Sequence, residues 1–96
     1  MVLQEWIEER FRQLDRKNAE VMFSLHLFDR KNYHNLDLDN IEDTVRNGSI
    51  FEKKSEEPNK ICFIKYFGKE NRTYVVIVRF HKNFIEVKTA WQKKGR

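Results

Sequence analysis

The sequence predicts an α+β fold, with N-terminal helices packed on one face of an antiparallel sheet of about four strands. Three observations carry that expectation. Apolar residues early in the chain recur at steps of three and four, the period of an amphipathic helix. After Gly48 the pattern changes to β-branched and aromatic runs separated by short polar turns. The charge changes sign at nearly the same place. Residues 1–52 hold 7 Lys/Arg against 11 Asp/Glu, a net of −4, whereas residues 53–96 hold 12 against 4, a net of +8. Helices followed by strands, rather than alternating with them, point to α+β and not to a parallel α/β sheet.

The first helix is expected over 2–16. Leu3, Trp6, Ile7, Phe11 and Leu14 form its apolar stripe, and Glu5, Glu8, Glu9, Arg12 and Arg16 fill the other side. Acids lie early and bases late, which suits the helix dipole. Val21-Met22-Phe23 fits either a strand or a helix. Ser24 is placed to cap a helix starting at Leu25 or His26, with Leu25, Phe28 and Leu27 as core candidates. Asn32 to Asn35 breaks that pattern. Asp37 then caps another short helix, with Leu38, Ile41 and Val45 inward and Gly48 in the left-handed position that closes a helix. Strands are expected at 49–53, 61–67, 73–80 and 84–90, the third of them a central strand buried on both faces. Trp91 and a basic tail, 92–96, follow.

The chain has 96 residues, the size of one domain with one core. No apolar run approaches the roughly 20 residues of a membrane span, and the N-terminus lacks the pattern of a secretory signal, so a cytoplasmic protein without a membrane partner is expected. Cys62 is alone and cannot form an internal disulfide. No Cys-x-x-Cys or His-x-x-x-His spacing occurs, so neither a metal nor a cofactor is expected.

Two constellations could carry function. His26 and Arg30 are four apart and would share a helix face, an imidazole for proton transfer beside a guanidinium for phosphate. Lys53, Lys54, Lys65, Arg79, Lys82 and Lys88 could form a cationic patch on the strands, with Lys88 on the face opposite Ile85 and Val87 and Lys65 sharing the face of Ile61 and Phe63. His81 lies beside Lys82 in a turn. Such a surface suits a polyanion, and nucleic acid is the commonest one. The alternative for the lysines is a solvated sheet protected from edge pairing. Tyr66, Tyr74 and Phe80 could stack on bases, although strand aromatics more often belong to a core.

The series Ser24-x-His26-x-x-x-Arg30, Leu36-Asp37-x-x-x-Ile41-x-x-x-Val45-x-x-Gly48 and Ile85-x-Val87-x-Thr89-Ala90-Trp91 resembles a small bacterial and archaeal domain family. That family is grouped with the RelE/ParE-like toxins of the barnase–colicin–RelE fold. The resemblance covers 21–91 and leaves the first helix, within 1–17, as an addition. It implies a RelE-like core acting on RNA as a metal-independent endoribonuclease. The 2′-hydroxyl would attack the adjacent phosphate, with His26 as acid or base, Arg30 as phosphate clamp and Thr89 as hydrogen-bond partner. It also implies a neutralising antitoxin. Two other readings stand beside this one. The domain could bind nucleic acid without cleaving it, or the apolar face of helix 2–16 could form a homodimer or dock on another protein. Packing of that face on the chain's own sheet is the simpler expectation for it.

Overall fold

A computed structural model of the chain describes residues 4–28 and 36–96, with the backbone alone for His26 and Phe28. In chain order it contains α1 (Glu5–Gln13), β1 (Glu20–Phe23), α2 (Leu25–Phe28), α3 (Leu38–Asn47), β2 (Ser49–Ile50), a 3-10 turn (Glu52–Lys54), β3 (Lys60–Phe67), β4 (Arg72–Phe80) and β5 (Phe84–Lys94). The α+β class is as the sequence predicts. The sheet is not: it has five strands in the order β1-β5-β4-β3-β2, and it is mixed. The ambiguous segment at Val21 is an edge strand parallel to the last strand, with Val21 beside Ile85 and Phe23 beside Val87. The 49–53 strand is shorter than expected, because the chain turns at Glu52. The last strand is longer and absorbs Trp91 to Lys94, so most of the basic tail is sheet.

Alternation sorts the side chains into two faces. Ile61, Phe63, Val76, Val78, Ile85 and Val87 point to the helices and are fully buried. α1 lies over them: Ile7 is buried, and Trp6, Phe11 and Leu14 pack against the same cluster. The Phe11 ring stacks near Phe63, with centroids 6.3 Å apart, and tilts against Phe80 at 5.7 Å. The apolar side of α1 is therefore packed on the chain's own sheet. Burying side chains of this size contributes about 1.5–3 kcal/mol each.

α3 forms because its first turn is capped and its stripe is apolar. The Asp37 carboxylate accepts from the amides of Asp39 at 2.8 Å and Asn40 at 3.4 Å. Ile41, Thr44 and Val45 are buried, whereas Leu38, expected inward, is 41% exposed. It sits at the first helical position, beside the cap and off the 41–45 stripe. In α2 the buried residue is Leu27, and Leu25 points away from the core at 82% exposure.

Gly48 does not occupy the left-handed region; it is extended at φ −72°, ψ 165°. Its role is close approach. A Cβ there would lie 2.5 Å from the Thr44 carbonyl oxygen and 2.9 Å from that of Ile64. Both obstacles are backbone, so α3 and β3 would have to separate. Gly48→Ala is expected to destabilise the fold by about 1–3 kcal/mol. Urea unfolding should show this as a lower midpoint with an unchanged slope.

Arg16 also departs from expectation. It lies beyond α1 rather than on a solvated helix face. Its Nε donates to the Val45 carbonyl and its Nη2 to the Gly48 carbonyl, both at 2.8 Å. The guanidinium lies over Phe63, 4.2 Å from the ring centroid. A cation thus closes the negative end of α3, and burial pushes its pKa down to about 10.

Candidate nucleic-acid interface

The sheet face away from the helices carries Lys60, Cys62, Ile64 and Tyr66 on β3, with Thr73, Val75, Ile77 and Arg79 on β4; Cys62, Thr73 and Val75 are buried, and the face is open at the others. Glu86, Thr89, Trp91 and Lys93 continue it on β5. The β4–β5 register slips between Ile77 and Val78: Ile77 pairs with Thr89 and Val78 with Val87, leaving Lys88 as an extra residue. Such a bulge re-aims the strand locally. Val87 thus keeps to the core while Thr89 faces outward, half-exposed.

The structure divides the expected cationic patch. Arg79 and Lys88 belong to the open face. Lys54 reaches it from the 3-10 turn, with Nζ 5.7 Å from the Trp91 ring centroid. Lys53 is exposed on the same turn. Lys65 is not part of this surface. It lies on the helix side, where Nζ bonds the Asp43 carboxylate at 2.6 Å and ties β3 to α3. Tyr74 and Phe80 are core residues and cannot stack on bases. Tyr66 stays on the open face, under the Arg96 guanidinium at 4.4 Å. The sequence reading missed Lys60 and Lys93, and placed Trp91 after the last strand rather than within it; each becomes placeable only once the register is known.

Glu86 stands among these cations. Glu86 Oε1 meets His81 Nε2 at 2.8 Å, and Lys88 Nζ approaches Glu86 Oε2 at 3.7 Å. The imidazole hydrogen bond, helped by the Lys88 and Arg79 charges, holds the Glu86 carboxyl below its usual range. Lys65 does the same for Asp43. Carboxylates with depressed folded-state pKa values stabilise the fold above their unfolded values and lose that contribution as pH falls through the folded ones. Stability should therefore decline below about pH 4. Asp43→Asn should flatten that decline, as read from urea midpoints at pH 7 and pH 3.

His81 stacks on Phe84 with centroids 4.4 Å apart, which fixes the ring in the β4–β5 turn. Thr89 lies on β5, and α2 enters beside the same strand through the Ser24 amide, which donates to the Val87 carbonyl at 3.0 Å. The side chain of His26, Arg30 and the break at 32–35 lie outside the described residues. Cys62 is buried, and burial pushes its thiol up to about 11, which makes it a poor nucleophile. Among the described residues, no three His, Cys, Asp or Glu side chains are grouped to hold a metal ion. No helix among them is long and apolar enough to cross a membrane.

Residues 23–92 match the model of a protein family described as a domain of unknown function, DUF4258. The chain belongs to this family. The matched span runs from the end of β1 into β5 and contains α2, α3, Thr89 and the His81–Glu86 pair. The family core thus includes both faces of the main sheet, while α1 and Arg16 lie before it. A comparison with curated proteins and one with solved structures each found no match.

Proposed function

We propose that this DUF4258 protein acts on RNA in the cytoplasm as a RelE-like toxin, a metal-independent endoribonuclease whose substrate strand crosses the open face of the sheet. The observation that carries this reading is the set of Lys54, Lys60, Arg79, Lys88 and Lys93 along one face of the sheet, with Lys54 beside the half-exposed Trp91 ring. Cations spaced along a sheet with an aromatic among them are what a single strand needs: charges for the phosphates and a face for a base. His26 serves as acid or base, Arg30 as phosphate clamp and Thr89 as hydrogen-bond partner. The 2′-hydroxyl attacks the neighbouring phosphorus, its proton passes to a base, and the 5′-oxygen leaves with a proton from an acid. A neutralising partner would present acidic side chains to the same face.

The test is incubation of the full chain with structured and unstructured RNA in EDTA, beside His26→Ala and Arg30→Ala. Cleavage by the parent chain and at least a hundredfold loss in either variant is expected, in the range typical of general acid–base groups. Salt-sensitive binding without cleavage would leave a nucleic-acid-binding module instead. Neither binding nor cleavage would end the RNA reading.

A further inference from the structure

A second basic site lies off the open face, in a cleft between α1 and the β4–β5 turn lined by Arg10, Gln13, Phe80, His81 and Lys82. We propose that this cleft binds a phosphate group of the RNA, with Arg10, His81 and Lys82 as its donors. The proposal deepens the RNA reading and rests on it for the source of the phosphate.

Every ionisable side chain lining the cleft is a base, and the remaining lining residues are Gln13 and Phe80. Arg10 is already oriented: its Nη1 donates to Gln13 Oε1 at 2.9 Å. Its Nε is closed off from solvent and has no acceptor. The guanidinium therefore has bonding capacity that the described residues leave unused. His81 is oriented too, by Glu86 at Nε2 and by the Phe84 ring. Nδ1 is then the ring nitrogen left for a ligand. Lys82 is exposed at the turn and forms no ion pair with the described residues. A guanidinium, an imidazole and an ammonium converging on one cleft suit a compact dianion or a diester oxygen pair.

The site is assembled from two sources. His81 and Lys82 lie in the family core, and Arg10 and Gln13 come from α1, which precedes it. The packing of Phe11 on Phe80 sets α1 against the end of β4 and so brings Arg10 to the turn. His81 also touches the open face through Glu86, so a strand lying on that face could place one phosphate at the rim of the cleft.

The test follows the His81 ring signals by NMR in the full chain at about pH 6. Inorganic phosphate is added first. A dinucleotide with a 3′-phosphate follows, then the same dinucleotide without it. A saturable shift at His81 is expected with phosphate, weakened at least tenfold in an Arg10→Gln, Lys82→Gln chain whose fold is verified by its amide spectrum. Response to the phosphorylated dinucleotide alone identifies a terminal phosphate; equal response to both identifies an internal diester. Absence of a saturable shift in the folded parent chain, or an equal shift in the variant, overturns the site. RNA binding measured on the same samples separates the two claims. Binding retained without a His81 response rejects only the cleft. A phosphate response without RNA binding rejects only the RNA source.

Discussion

Replacing Lys54, Arg79 and Lys88 together by glutamine is expected to weaken binding to single-stranded RNA roughly a hundredfold at low salt. The three side chains come from different elements and converge on one face: Lys54 from the 3-10 turn, Arg79 from β4, and Lys88 from the bulge in β5. If each neutralises one phosphate, the logarithmic salt slope should fall by about 2, at about 0.7 per contact for a single strand. Arg79 and Lys54 are exposed, Lys54 beside the Trp91 ring, so neither change should unfold the chain. Lys88 gives up a long contact to Glu86, which His81 still holds. Trp91→Ala should cost a further tenfold to hundredfold, because a stacked base contributes about 1–3 kcal/mol. Filter binding across a salt series reads all of these. A triple variant with parental affinity and slope would show that this face does not meet the phosphates.

Arg16→Ala should lower stability by about 3 kcal/mol. Two hydrogen bonds from a charged donor contribute about 1.5–3 kcal/mol each, and the cost of partly burying the guanidinium offsets some of that. The cation over Phe63 and Phe11 adds a further contribution of about 0.5–2 kcal/mol. The carbonyls of Val45 and Gly48, at the end of α3, would lose their donor. Thermal unfolding of a domain this size should shift down by about 12–24 °C. Arg16→Lys should restore only part of the loss, since an ammonium cannot reach two carbonyls in a fixed fork while lying flat on a ring. A variant as stable as the parent would show that α3 ends without this cap.

How much of this was legible in the sequence depends on the range of the interaction. Local signals held well: the Asp37 cap, the Ile41–Val45 stripe and the run through β4 each depend on neighbours a few residues away. The edge strand at Val21 fits strand and helix alike in the sequence, because four residues are too few to show a period. Its partner, β5, is more than sixty residues away in the chain. Gly48 was correctly marked as a helix end, but the reason is an approach to Ile64, which no local rule reveals. A helix running to residue 16 would leave Arg16 on a solvated face, but α1 is shorter than its periodicity suggests. Ending the helix at Gln13 turns Arg16 onto Phe63. The cationic patch separated once the register placed Lys65 against Asp43, and Arg10 joined His81 through packing between distant parts of the chain.

The central claim is that RNA lies on the open face of the sheet. It is tested most directly by mapping amide and indole NMR shifts in the full chain as a short single-stranded RNA is added. The account predicts the largest changes at the Trp91 indole and at the amides of Arg79, Lys88 and Thr89, with the outer side of α3 unmoved. Changes centred on α3, or none at saturating RNA, would contradict it.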